Sequence, residues 1–154
     1  KTVNASIVHT SSTSGLFANP GQANYGAAKT GIATFSQICA KELSRYGVRS
    51  NAIAPAARTR LTESTPGLSE VVKAPADGFD VWDPANVSPF VAYLASPACP
   101  FSGETFLVQG GTVQRVQSWA AAEKIDKGDR WTVSELADAA SKLARPPKGD
   151  PTRA

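Results

Sequence analysis

A chain of 154 residues, 42% hydrophobic and 19% charged, carries enough apolar side chains to bury a core, which excludes an intrinsically disordered segment. Its formal charge of +3 comes from scattered basic residues (Arg45, Arg49, Arg58, Arg60, Arg115, Arg130), with no aromatic-interleaved stripe of the kind that argues for a nucleic-acid partner. No apolar run approaches the ~20 residues of a membrane span and no signal-peptide pattern opens the chain, so the expectation is a cytoplasmic protein with no membrane partner.

Taken in chain order, Ala5–Thr10 (A-S-I-V-H-T) is a short apolar run that suits a buried strand. Residues 11–24, rich in Ser, Gly, Asn and Pro, read as a loop. A helix is predicted over Ala23–Tyr46, with Ala28, Ile32, Phe35, Cys39 and Leu43 recurring at helical spacing as its apolar face, and Gly47 stops it. Val48–Ala54 is a second strand, broken by Pro55. Strand, loop, helix and strand in this order make a βαβ unit.

Arg58–Trp82 has no clear periodicity, and a loop of that length inside a compact domain is usually functional or mobile. At Asp83 a capping carboxylate precedes Pro84, opening a helix to Ser96 whose apolar face is Val87, Phe90, Val91 and Leu94. Glu104–Gln109 is a third strand, closed by Gly110 and Gly111. From Gln114 the chain is polar, with a helix predicted over 134–143 and a disordered end over 146–154. This order divides the chain into an α/β domain over 1–113 and a partly helical extension over 114–154.

Few residues suit metal or disulfide chemistry. Cys39 and Cys99 lie far apart, and Cys39 on a helix face reads as a reduced core thiol. With His9 the sole histidine and no clustered ligands, a metal site is not expected.

Chemistry is carried by Tyr25 and Lys29, which share a helix face at a spacing of four. A phenol ordinarily ionizes near pH ~10, and an adjacent ammonium favors its phenolate and so draws it toward acid–base work. Ser12, at the end of the first strand, can be folded back by the intervening loop to offer a hydroxyl to an oxygen that gains charge. A Tyr-x-x-x-Lys pair alone arises by chance in many helices. The longer string S-S-T-S-G (11–15), G-Q-A-N-Y-G-A-A-K (21–29) and N-A-I-A-P (51–55) is far more specific.

With those motifs the sequence resembles the short-chain dehydrogenase/reductase family over about residues 5–111. The resemblance implies the C-terminal half of a Rossmann-type, doubly wound parallel sheet with a C-terminal tail extension. It implies an oxidoreductase that uses NAD or NADP to interconvert a secondary alcohol and a ketone. In that reading Tyr25 is the acid–base residue, Lys29 assists its ionization and bonds the nicotinamide ribose, and Ser12 positions the substrate oxygen. Pro55, Arg58 and Thr59 would contact the cofactor, Gln22 the substrate, and residues 58–79 would form a mobile substrate lid.

G-Q-A-N-Y is similar to the acyl-thioester reductases of the family. I-A-P-A-A-R-T-R-L-T (53–62), where Ala56 stands in place of the common Gly, resembles the (R)-3-hydroxyacyl-CoA dehydrogenase unit of peroxisomal multifunctional enzymes and its bacterial relatives. A 3-hydroxyacyl or 3-oxoacyl thioester is therefore the expected substrate, with a steroid or other secondary alcohol as the alternative. A non-catalytic subunit of a heteromeric fold is the reading from a different class. A Ser–Lys hydrolase is weaker, since it leaves Tyr25 and Pro55 unused and no G-x-S-x-G elbow is present.

The Gly-rich phosphate turn of a dinucleotide site is not in this sequence. Together with an opening at Lys1, this leads us to expect a partner in the N-terminal half of the same domain. The family resemblance further implies a homo-oligomer, tetramer or dimer, packed through the Tyr25 helix. Gly26, Ala27, Gly31 and Ala33 would allow close approach there, although packing within the chain would use them equally well.

Overall fold

The computed structural model describes residues 3–65 and 67–143. The predicted disordered end, 146–154, lies outside the described residues. The chain divides into two compact units, 1–118 and 119–154.

The first unit is built on a four-stranded sheet in the order β1-β2-β3-β4. β1 (Ala5–Thr10), β2 (Val48–Pro55) and β3 (Thr105–Gln109) are parallel, and β4 (Thr112–Val116) runs antiparallel to β3. The architecture is α/β and Rossmann-like, as expected. The strand β4 replaces the start of the expected polar tail. Gly110 and Gly111 form the two-residue turn between Gln109 and Thr112, which pair directly, and Gly110 has φ +52°. Such a Gly-Gly step suits the left-handed backbone of a tight hairpin turn.

Successive residues of a strand face opposite sides of the sheet, so Ser50 and Ile53 in β2 point to different helices. On one side Ile53, Phe106 and Val108 form the core with Leu94 of α4 (Ser88–Ala95) and Cys99. Asp83 caps the 3₁₀ turn leading into α4, its carboxylate accepting from the Ala85 N–H with Pro84 next, as the sequence indicated.

On the other side α2 (Ala23–Leu43) lies against β1 and β2, and it ends in a 3₁₀ turn whose C-cap, Gly47, has φ +76°. Its buried face is Ala33, Ser36, Cys39 and Ala40; of the expected stripe Cys39 is buried and Ile32 and Leu43 are half-buried, whereas Ala28 and Phe35 are exposed. The small residues let the helix approach the sheet closely, and the Ser36 hydroxyl shares a 3.1 Å hydrogen bond with that of Ser50. Phe35 stays 55% exposed, its ring and that of His9 standing at 84° with centroids 5.5 Å apart, and His9 Nε2 lies 3.2 Å from Ser50 Oγ.

Among the described residues, buried polar side chains elsewhere are matched. Asn51, wholly buried, donates through Nδ2 to the Phe101 carbonyl and accepts through Oδ1 from the Glu104 N–H. These bonds hold loop 101–104 against β2. In the second unit, α5 (Val133–Ala139) begins with a reciprocal cap between Thr132 and Glu135, one residue before the predicted start.

Candidate active site

Where the parallel strands end, their carboxyl termini and the first turns of α2 gather most of the residues singled out from sequence. Open α/β sheets bind ligands in this place, because the loops that follow the strands diverge there.

β1 ends at Thr10, and Ser11 then turns the chain inward. Ser11 is 2% exposed, its N–H bonds the Ile53 carbonyl of β2, and its hydroxyl donates to the Lys29 carbonyl at 2.7 Å. Ser11 is not among the residues expected from sequence, although a hydroxyl pair at a strand end is a signal for it. Ser12 follows as the N-cap of α1 (Thr13–Phe17), a short helix inside the expected loop. Its Oγ accepts from the Ser14 N–H, which leaves the O–H hydrogen free to donate.

Helix α1 rests on α2 through glycine. A Cβ at Gly15 would lie 2.6 Å from the Thr30 backbone nitrogen, and one at Gly26 would lie 3.2 Å from the Ser14 carbonyl. Thr30 Oγ1 bonds both the Gly15 and Gly26 carbonyls. Gly26, one of the small residues considered for contact between subunits, thus serves packing within the chain.

The Lys29 ammonium donates to the Thr10 carbonyl at 2.9 Å and lies 5.6 Å from the centroid of the Tyr25 ring. Tyr25 is 44% exposed, so its phenol is open to a ligand. Gln22 is exposed at the start of α2, its side-chain carbonyl accepting from Asn19 Nδ2 at 3.0 Å. Pro55 closes β2 beside β3.

Arg58 and Thr59 are engaged elsewhere. The Arg58 guanidinium bonds Asp80 and the Val72 carbonyl. Thr59 exchanges hydrogen bonds with Thr62 in a capping box at the start of α3 (Arg60–Glu63). The stretch expected to be a mobile lid is therefore fastened at its base. Arg58 holds the Asp80 carboxyl below the usual carboxylate range, helped by the Trp82 N–H, and Asp80 in turn raises the guanidinium. Asp80 was not singled out from sequence, where no spacing rule links it to Arg58.

A family model described as enoyl-(acyl carrier protein) reductase matches residues 1–113. The chain belongs to the short-chain dehydrogenase/reductase family. Within it, hydroxyacyl-CoA dehydrogenase ChsB1 of Mycobacterium tuberculosis is 39% identical over 132 residues, covering 84% of this chain and 41% of that protein. The crystal structure of a short chain dehydrogenase from Mycobacterium avium superposes with a TM-score of 0.77 at 44% identity, covering 96% of this chain and 49% of the other. Full-length peroxisomal multifunctional enzyme type 2 from Drosophila melanogaster gives a TM-score of 0.64 at 27% identity, covering 90% and 24%. The chain thus spans less than half the length of these relatives.

The named relatives are dehydrogenases and reductases, which makes this chain part of an oxidoreductase, and the family implies a nicotinamide dinucleotide as cofactor. Lys29 has used one of its three N–H donors on Thr10, and two remain to donate to the hydroxyl groups of such a cofactor. Among the described residues no helix is long and apolar enough to cross a membrane.

Proposed function

We propose that this chain carries the proton-transfer and substrate-orienting residues of a nicotinamide-dependent dehydrogenase/reductase that interconverts 3-hydroxyacyl and 3-oxoacyl thioesters. The observation that supports this most is the Lys29 ammonium, tethered to Thr10 and set beside the exposed Tyr25 phenol.

In this reading Tyr25 exchanges a proton with the substrate oxygen, and the fixed ammonium favors the phenolate when that proton leaves. Ser12 donates its free O–H to the same oxygen and so stabilizes charge developing there. The dinucleotide, NAD or NADP, supplies hydride exchange at the substrate carbon. Lys29 would bond the ribose and Pro55 would border the nicotinamide. The thioester reading is supported by the acyl-CoA chemistry in the name of the ChsB1 relative.

Replacing Tyr25 with Phe tests the assignment in the holoenzyme. The expected result is a loss of about 10²–10⁴-fold in kcat with dinucleotide affinity nearly unchanged. Turnover retained by Tyr25→Phe would refute the role. A panel setting 3-oxoacyl thioesters against steroid and simple ketones tests the substrate class.

A further inference from the structure

We propose that Arg58 is a positioning residue, which acts through Asp80 to seat the segment 59–79 beside the candidate active site. The inference rests on the proposed function only in regarding that segment as a substrate wall; the fastening itself stands on geometry.

Arg58 follows β2 by three residues, and its N–H bonds the Trp82 carbonyl at 2.7 Å. The two ends of the segment are therefore already adjacent. Across this junction Arg58 Nη2 meets Asp80 Oδ2 at 2.5 Å, and Nη1 reaches Asp80 Oδ1 at 3.4 Å. A forked guanidinium matches a carboxylate in this way, and a lysine would not. Nη1 also donates to the Val72 carbonyl at 2.9 Å, and Nε lies 3.9 Å from Glu63. One side chain thus touches the start, middle and end of the segment. Both partners of the ion pair are only 19% exposed, and the Asp80 carbonyl accepts from Asn86 Nδ2 at the foot of α4.

Asp80 also sets its neighbors. Phe79 and Val81 line a cleft of about 520 Å³ against Leu107, Gln109 and Gln114 of the β3–β4 hairpin. Val81 is held close over the turn, where a Cβ on Gly110 would come within 3.0 Å of it. Drawing Asp80 toward Arg58 fixes this wall, so losing the pair frees the wall as well as the segment.

The experiment is hydrogen–deuterium exchange on the full chain, comparing R58A, R58K, D80A and the swap R58D/D80R with the parent. Exchange at 59–65 and 67–79 is expected to rise about tenfold in R58A and D80A, and less in R58K. The swap is expected to recover most of the protection, while amides of Ala52 and Val108 stay unchanged throughout. In the holoenzyme, R58A is expected to raise KM more than it lowers kcat.

Unchanged exchange at 59–65 and 67–79 in R58A would overturn the proposal. So would a rise spread equally to Ala52 and Val108, or a swap no better than the single variants. Weakened dinucleotide binding with unaltered exchange would instead make Arg58 a cofactor contact. Should the holoenzyme show no dehydrogenase activity, the proposed function fails while the exchange data still decide the fastening.

Discussion

The Lys29 ammonium and the Thr10 main-chain carbonyl are joined at 2.9 Å, which ties the second turn of α2 to the last residue of β1. A flexible four-carbon stem is thereby fixed at its tip, close to the phenol it would serve. Lys29→Met removes that charge. We expect kcat to fall at least about 100-fold while the thermal midpoint moves little, because the bond is exposed. Steady-state kinetics at saturating dinucleotide, with circular-dichroism melting, reads both outcomes. A comparable fall in kcat and in melting temperature would mark Lys29 as structural.

Gly15→Ala should destabilize by about 1–3 kcal/mol, since the added methyl meets the backbone of Lys29 and Thr30 and these cannot yield as a flexible side chain would. Gly31→Ala is the control. Nothing lies within 4 Å of its Cβ, and a helix interior gains about 0.5–1 kcal/mol from the exchange. Urea denaturation of the pair should therefore show midpoints displaced in opposite directions.

Asn51→Ala leaves the Phe101 carbonyl and the Glu104 N–H without their partner beside a strand that is fully buried at this point. We expect a loss of about 3 kcal/mol by denaturant titration. A loss below about 1 kcal/mol would mean that water replaces the amide there.

Glu135 is held below the ordinary carboxylate range first by Lys127 and then by the Thr132 N–H and hydroxyl. A depressed folded-state value means that its stabilizing effect is present above the unfolded value and lost as pH falls through the folded one. Amide NMR signals of 133–139 should therefore hold steady from neutral pH to about 4.5 and then drift toward coil values on further acidification. Lys127→Ala should move that drift to higher pH.

Much of this arrangement was legible in the sequence because it depends on local rules. Asp83 before Pro84, Gly47 after a helical run, and Tyr25 and Lys29 four apart are written within a few residues of one another. What escaped depends on tertiary packing or on signals given too little weight. Helix α2 packs through Ala33, Ser36 and Ala40 because close approach to the sheet favored small side chains over Phe35. Strand β4 could have been found, since Gly110-Gly111 between Leu107-Val108-Gln109 and Thr112-Val113-Gln114 is a hairpin signal. The Arg58–Asp80 pair joins residues far apart in the chain, and no local pattern announces it.

His9 is the sole histidine of the chain, and it lies where β1, β2 and α2 meet, bonded to Ser50 and with its ring beside that of Phe35. The two rings stand at 84° with centroids 5.5 Å apart, so a movement of Phe35 changes the field at the two carbon-bound imidazole protons and displaces their lines. The molecule thus carries an internal reporter that needs no isotope label: displacement of those lines registers any slip of the Tyr25 helix on the sheet, in a region where an added dye would disturb the packing under observation.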